Sequence, residues 1–277
     1  MNSDIRYKMG KISYINASPV FYGLDHGLLP DWLEMIAEPP AVLNRLIKNN
    51  EIILSPVSAA FYAMHHGDFL LVPDLSISCN GKVMSVILMS KYPLEQLNKK
   101  NIVFTEESAT AASFFKMIFS MKNIKPNLTT CAVKHINDIK ENVDAALIIG
   151  DAALTQPWDT IYQYKIDLGD LWYSMTKLPF VFAVWVVRKS FAENNPDIVK
   201  KIIDLLNNSK EQGYINIEKI IEKGALKLDL DITYVKKYYD HLFCDLDDKK
   251  IKALAMFFKF LYEEKILDNR PEIKIFS

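Results

Sequence analysis

The chain has 277 residues, half of them hydrophobic, so it can bury a large core in one big domain or in two modest lobes. Its 33 Lys and Arg residues nearly balance 34 Asp and Glu residues, and the net charge of −1 excludes a general attraction to nucleic acid or an anionic membrane. We therefore expect a small-molecule partner, with no nucleic-acid and no membrane partner.

The first part of the chain alternates strand-like and helix-like segments, which is typical of βα units around a mainly parallel sheet. The predicted elements are a strand over 10–15, the start of a helix over 19–23, a helix over 41–49, a short buried strand over 52–54, and a helix that begins at Ser55 and Pro56.

The middle of the chain contains two strongly apolar segments, 83–90 and 178–187. Between them we predict a strand over 101–104, a helix over 110–121 and a strand over 145–149. Segment 178–187 is too short to span a bilayer, and its β-branched and aromatic residues are continuous rather than alternating, which favours a strand buried on both faces. From residue 195 onward, apolar residues at helical spacing predict a helical tail.

No repeat or Gly/Ser linker divides the chain, so a second lobe would have to be inserted through crossing strands. We predict that lobe one comprises residues 1–90 and 189–277, that lobe two comprises 91–188, and that a ligand binds between them. Segment 83–90 and Phe180–Arg188 would be the crossing strands. The alternative, in which 178–187 is an ordinary core strand of one domain, stays open at this point.

Four strand-to-helix junctions carry short polar residues, at 13–19, 54–58, 107–111 and 149–153. Unpaired N–H groups and the helix dipole at such junctions favour carboxylates or phosphates. Four junctions converging from two lobes predict a cleft that binds carboxylates. The alternative is that each polar residue only caps its helix. Asp151 would repel an anion, so we expect it to cap or to position.

Several kinds of catalytic or cofactor site are absent from the sequence. The five histidines lack metal-ligand spacing, and there is no nucleophile elbow, P-loop or dinucleotide-binding glycine motif. Cys79, Cys131 and Cys244 are far apart and odd in number, so we expect reduced thiols rather than disulfides. We expect no cofactor and no metal. The first residues lack a secretory signal, which favours a cytoplasmic location.

Four stretches of the chain resemble the chorismate dehydratase family of menaquinone biosynthesis, in the family's order. They are GKISYINASP at 10–19, NGKVMSV at 80–86, LIIGDAAL at 147–154, and DLGDLW at 167–172 running into LPFVFAVW at 178–185. The Trp, Pro and Phe pattern of the last is the most specific. The resemblance implies an α/β fold of two lobes, similar to type II periplasmic binding proteins, with a ligand cleft between the lobes.

The resemblance also implies an activity, in which water is removed from chorismate to give 3-[(1-carboxyvinyl)oxy]benzoate in the futalosine route. The matched motifs contain no His or Glu, so the substrate's own enolpyruvyl carboxylate is the expected base. Asn16 is the expected catalytic residue, because its amide can both donate and accept, and a simple capping role is its alternative. The expected substrate-binding residues are Ser55, Ser85, Ser108, Ala109, Thr110, Gly150 and Asp151.

The chain departs from the family pattern at two places. Where the family usually has Ser-Arg-Thr-Ser, this chain has Ser108-Ala109-Thr110-Ala111, and Lys177 replaces a usual glycine. If the family's arginine binds a carboxylate directly, its loss removes a charge-assisted bidentate contact and weakens substrate binding. Ser108, Thr110 and the helix N-terminus are expected to retain the binding role.

Three alternative functions remain at this point. A dihydroxynaphthoate synthase of the same pathway would act on a larger naphthoate precursor. A non-catalytic protein that binds small carboxylates as an exported solute-binding protein would need a secretory signal, and the lack of one in the first residues argues against it. A ligand-sensing regulator would usually carry a DNA-binding helix-turn-helix, for which residues 1–10 leave no room. The sequence does not predict the oligomeric state.

Overall fold

Two β-sheets with helices packed on them organise residues 6–277, the part of the chain that the computed structural model describes. The strands are β1 (Tyr7–Ile12), β2 (Leu33–Glu38), β3 (Leu54–Ser58), β4 (Phe69–Cys79), β5 (Val86–Ser90), β6 (Asn101–Thr105), β7 (Asn127–Cys131), β8 (Ala145–Ile149), β9 (Tyr164–Asp167), β10 (Phe180–Arg188) and β11 (Leu242–Phe243).

Eleven α-helices accompany the strands within residues 6–277. They are α1 (Ser18–Gly23), α2 (Pro40–Lys48), α3 (Ala59–Met64), α4 (Ala109–Met121), α5 (Gly150–Thr155), α6 (Leu168–Thr176), α7 (Lys189–Asn194), α8 (Pro196–Ile215), α9 (Ile217–Leu228), α10 (Ile232–Asp240) and α11 (Asp248–Glu263). None of the helices in this part of the chain is long and apolar enough to cross a membrane.

Each sheet combines parallel and antiparallel pairs. The first has the order β11-β4-β10-β3-β1-β2, in which β1 is parallel to β2 and β3 while β10 is antiparallel to β3 and β4. The second has the order β7-β6-β8-β5-β9, in which β6 is parallel to β7 and β8 while β5 is antiparallel to β8 and β9. Parallel βα units therefore form one half of each sheet, and they place several strand-to-helix junctions near one another.

The chain passes from the first sheet to the second between β4 and β5, and it returns between β9 and β10. The sequence predicts that segment 83–90 and Phe180–Arg188 carry these crossings. In the structure β5 lies wholly in the second sheet and β10 wholly in the first, so the connecting segments 80–85 and 168–179 carry them instead. The predicted lobe boundaries at residues 90 and 188 stay a prediction, and strand membership favours earlier boundaries.

Strand β10 has the burial that its composition predicts. Val184, Trp185, Val186 and Val187 are completely buried. The strand is paired on one side with β3 and on the other with β4. A strand that is central in its sheet and covered on both faces needs apolar side chains in every position, which explains the continuous rather than alternating pattern.

The predicted helix start at Ser55 and Pro56 is wrong. Both residues lie inside β3, whose five residues are all buried, and helix α3 begins only after Ser58. The Ser58 hydroxyl accepts a hydrogen bond from the backbone N–H of Phe61 at 3.3 Å and caps that helix. Pro56 is tolerated because β3 pairs with β1 only at Leu54, which leaves that edge free further along the strand.

The tail is helical, as predicted, and it packs against the first sheet. Helix α8 lies against α1, where a β-carbon on Gly213 would clash with the backbone carbonyl of Pro19, so this position requires glycine. The Lys210 ammonium of α8 is bound to the Asp74 carboxylate of β4 at 2.7 Å. Short strand β11 then adds to the edge of the first sheet.

Candidate functional site

A cleft lies between the two sheets and contains about 600 Å³ of space, part of it open to solvent. Its apolar lining includes Ile12, Ile77, Val83, Val86, Ile149, Phe182, Ala183 and Leu242. Its polar lining is Tyr14, Asn16 and Ser58 from the side of the first sheet, and Ser85, Glu107 and Ser108 from the side of the second.

Asn16 lies in a single 3-10 turn, Ile15–Ala17, directly after β1. Neither this turn nor the following helix is capped by a side chain, so the structure does not support a capping role for Asn16. Its Oδ1 is buried and has no hydrogen-bond partner within residues 6–277. A buried acceptor without a partner costs about 1–3 kcal/mol, which is compatible with an atom reserved for a ligand.

The backbone around Asn16 is fixed from two directions. The hydroxyl of Tyr239 donates to the carbonyl of Ile15 at 2.7 Å. The Ile15 N–H donates to Oδ1 of Asp151 at 3.5 Å. The first contact comes from helix α10 and the second from helix α5, so the turn that presents Asn16 is held by elements distant in sequence.

Ser85 faces the cleft from the segment that precedes β5. Its hydroxyl oxygen accepts a hydrogen bond from the Tyr238 hydroxyl at 3.0 Å, and its carbonyl accepts one from the Gly150 N–H at 2.8 Å. Burial raises the pKa of Tyr238, so this phenol stays a neutral donor. The hydroxyl proton of Ser85 is then available to donate to a ligand.

Helix α4 carries three of the predicted binding residues, and only one of them lines the cleft. Ser108 caps the helix by accepting a hydrogen bond from the Ala111 N–H at 3.1 Å, and it also lines the cleft. Ala109 is half-buried and lies outside the lining. Thr110 is almost completely buried, and its hydroxyl accepts from the Ala60 N–H at 3.0 Å and donates to the Phe182 carbonyl at 3.1 Å.

Thr110 therefore joins α4 to the first sheet rather than facing a ligand. We expect Thr110→Val to lower the free energy of unfolding by about 2 kcal/mol, because it leaves a buried N–H and a buried carbonyl without partners. Thr110→Ser keeps the hydroxyl and should lose less than half as much. Urea unfolding followed by circular dichroism measures both variants, and equal stability of the two would contradict this role.

Gly150 and Asp151 begin helix α5, and only Gly150 lines the cleft. Gly150 lines the cleft with a φ of +64°, and its β-carbon position would lie 3.2 Å from the ring of Tyr14, so a side chain there is strained and crowded. Asp151 lies outside the lining. Its Oδ2 accepts from the Lys227 ammonium at 3.4 Å. Burial raises the pKa of its carboxyl, and its contacts favour the predicted positioning role.

Ser55 lies away from the cleft. It is fully buried in β3, and its hydroxyl donates to the Pro56 carbonyl at 2.9 Å. Its Oγ lies against Gly10 of β1, where a β-carbon would clash with it. Ser58, three residues later, is the residue of this junction that lines the cleft. The predicted substrate-binding role of Ser55 therefore has no support from its position.

Tyr14 and Glu107 form a link across the cleft that the sequence interpretation missed. The Tyr14 hydroxyl donates to the Glu107 carboxylate, whose other oxygen lies 3.6 Å from the ammonium of Lys134. Burial and the neighbouring Glu107 raise the pKa of Tyr14. Among the lining residues of the described chain, Glu107 is the only carboxylate and there is no Lys, Arg or His. In the sequence, only one feature of Glu107 indicates a place in the site: it directly precedes Ser108, the residue that caps helix α4.

Residues 6–277 contain three free thiols and no preformed cluster of metal ligands. No cluster of three His, Cys, Asp or Glu side chains in this range is arranged to hold a metal ion. Cys79, Cys131 and Cys244 are free thiols. Burial raises the pKa of Cys244 to about 11, so this thiol is protonated at neutral pH and is a poor nucleophile.

Comparison with solved structures places the fold. A protein from Archaeoglobus fulgidus superposes with a TM-score of 0.76 at 19% identity, over 96% of this chain and 98% of that chain. The periplasmic aliphatic sulphonate binding protein of Escherichia coli superposes with a TM-score of 0.67 at 13% identity, over 99% of this chain and 93% of that one. The two-lobed periplasmic-binding-protein-like fold that the resemblance implies is therefore confirmed.

Comparison of sequences identifies the family. A protein named chorismate dehydratase from Thermus thermophilus is 30% identical over 247 residues, which cover 84% of this chain and 86% of that protein. A family model described as menaquinone biosynthesis matches residues 7–263, which include both sheets and the cleft between them. This chain belongs to that menaquinone biosynthesis family.

Proposed function

We propose that this protein is a chorismate dehydratase, a hydro-lyase that converts chorismate to 3-[(1-carboxyvinyl)oxy]benzoate. The observation that carries the proposal is the buried, unpartnered Oδ1 of Asn16 in the cleft between the two sheets. The similar protein from Thermus thermophilus bears this name and supports the same reaction. A cytoplasmic location and a small-molecule substrate are part of the proposal.

The reaction is a 1,2-elimination that ends in an aromatic ring. The C–H bond at the ether-bearing carbon breaks, and its electron pair forms the new ring double bond. The C–O bond of the hydroxyl on the neighbouring carbon breaks, and the leaving hydroxide combines with the proton removed from the ether-bearing carbon to give water. Aromaticity of the product supplies the driving force, so the protein mainly needs to hold the substrate and to guide one proton.

Asn16 has the groups that this elimination needs. Its Oδ1 can accept from the substrate's single hydroxyl and orient it, and its side-chain N–H₂ can donate to that oxygen as negative charge develops on it; both groups come from a turn held by Tyr239 and Asp151. Fixed donors aimed at developing charge lower the barrier because they need no rearrangement during the reaction.

The polar groups around Asn16 are suited to the substrate's carboxylates. Ser58, Ser85 and Ser108 supply hydroxyl groups from three separate elements, the end of β3, the segment before β5 and the cap of α4. Glu107 is held by Tyr14 and Lys134, so it is poorly placed to take the proton. We therefore assign the proton acceptor to the substrate's own enolpyruvyl carboxylate, bent back over the ring.

Incubation of the purified protein with chorismate tests the proposal. We expect the ultraviolet absorbance to change from that of a cyclic diene to that of a benzoate, with one product that retains the enolpyruvyl ether by mass spectrometry. Tight binding of chorismate without any spectral change would instead favour a non-catalytic binding protein, and it would overturn the proposed reaction.

A further inference from the structure

A second groove adjoins the cleft and is rich in lysine. It contains about 1040 Å³ of space, part of it open solvent, and lies between β1, α1 and helix α9. Its cationic side chains are Lys11, Lys219, Lys223 and Lys227, and we call it the lysine groove. Ile12 and Tyr14 line both the cleft and the lysine groove, so the two spaces are adjacent at these residues.

The positive charge of the lysine groove is only partly neutralised. Lys11 is paired with Asp25 at 2.5 Å, and Lys227 contacts Asp151 at 3.4 Å. Within residues 6–277, Lys219 and Lys223 have no carboxylate within 4 Å and are exposed to solvent. Lys219, Lys223 and Lys227 follow one another at four-residue spacing on α9, where like charges are neighbours and repel.

The cleft itself has the opposite character. Among residues 6–277, none of those that line the cleft is a cation, and Glu107 is the one carboxylate. Glu107 is paired with Lys134, which lies outside the lining, so the cleft offers a dicarboxylate hydroxyl groups but no cation of its own. The nearest concentration of positive charge that shares a wall with the cleft is the lysine groove.

We infer that the lysine groove attracts the dianionic substrate and raises its local concentration at the entrance beside Tyr14. This inference rests on the proposed function, because it takes a dicarboxylate as the substrate. Clefts flanked by charge of one sign accelerate association of an oppositely charged ligand by roughly 10- to 1,000-fold, and the effect falls steeply with ionic strength. The screening length is about 10 Å at 0.1 M salt and about 3 Å at 1 M, so added salt weakens this attraction.

The test is a comparison of two double variants with the wild type. Lys219→Gln/Lys223→Gln removes the two lysines that lack partners. Lys116→Gln/Lys252→Gln is the matched control. Both lysines are exposed, on helices α4 and α11, and both lie outside the groove lining. Their substitution changes the net charge by the same amount as the groove variant. Steady-state kinetics with chorismate are measured from low to high ionic strength.

We expect the groove variant to show about a fivefold to tenfold lower kcat/KM at low ionic strength, with kcat unchanged. The difference should vanish near 0.3 M salt, whereas the control should stay within twofold of the wild type throughout. A groove variant that matches the control at low ionic strength overturns the inference.

A binding measurement separates this inference from the proposed reaction. Isophthalate, an unreactive aromatic dianion, is titrated into all three proteins by calorimetry at low ionic strength. We expect about fivefold weaker binding in the groove variant only. If the wild type fails to convert chorismate but binds isophthalate more tightly than the groove variant does, the proposed reaction is wrong and the groove's role stands. If the wild type and the groove variant bind isophthalate equally, the groove's role is overturned.

Discussion

Asn16→Leu is expected to lower kcat for chorismate by about 100- to 1,000-fold, the effect of removing one fixed donor from a developing charge. The same change should leave the free energy of unfolding equal or raise it by about 1 kcal/mol, because it replaces a buried oxygen that has no partner with an apolar group of similar size. Loss of activity together with unchanged or higher stability would identify a group kept for function.

Asn207 provides a matched control for this experiment. It also has a buried Oδ1 without a partner in the described chain, but it lies in helix α8 and outside the cleft lining. Asn207→Leu should therefore have a similar effect on stability and retain wild-type kcat. Steady-state kinetics and urea unfolding are measured on both variants, and near-normal activity of Asn16→Leu would remove Asn16 from the mechanism.

Trp172→Ala is expected to lower the free energy of unfolding by about 4 kcal/mol, in the range found for buried aromatic residues. Trp172 is completely buried, and its ring lies within about 6 Å of the rings of Phe180 and Phe257. Its indole N–H donates to the Pro179 carbonyl at 2.9 Å, which would lose its partner. The loss should be large because this cluster joins α6 and α11 to strand β10.

Two substitutions calibrate that result. Trp172→Phe keeps an aromatic ring and should lose roughly half as much stability, because it removes the hydrogen bond and part of the volume. Trp32→Ala removes a half-buried ring near the edge of the first sheet and should lose about 1–2 kcal/mol. Chemical unfolding followed by circular dichroism measures all three, and an equal loss for Trp172→Ala and Trp32→Ala would contradict a central role for the cluster.

Elements with strong local patterns were predicted from sequence with accuracy. Strand β8 has the predicted bounds, and helix α4 begins one residue before its predicted start. The sequence does not predict strand β4, because Pro73 and Asp74 interrupt its apolar pattern. In the structure Asp74 also has a positive φ, which is unusual inside a strand. It is nevertheless one long strand, because it pairs along β10 with two shifts of register. Only that long-range pairing makes β4 a continuous element.

The candidate site was predicted in part. Asn16, Ser85, Ser108 and Gly150 do line one cleft, whereas Ser55, Ala109, Thr110 and Asp151 do not. Short polar residues at strand-to-helix junctions look alike in sequence, since capping, cross-linking of elements and ligand binding all use the same hydroxyl groups. Thr110 follows Ser108, the cap of helix α4, by only two residues. Their roles differ because Thr110 contacts residues that are distant in sequence, Ala60 and Phe182.

By itself the sequence determined the α/β order of the elements, the buried central strand β10, and the junctions at which polar groups gather. These follow from local physics, because burial sets the spacing of apolar residues and helix ends need polar partners. Only the tertiary structure decided that Oδ1 of Asn16 has no partner, that Tyr14 reaches Glu107, and that four lysines share a groove. Each of these depends on side chains that are distant in sequence, and no local pattern specifies how such side chains meet.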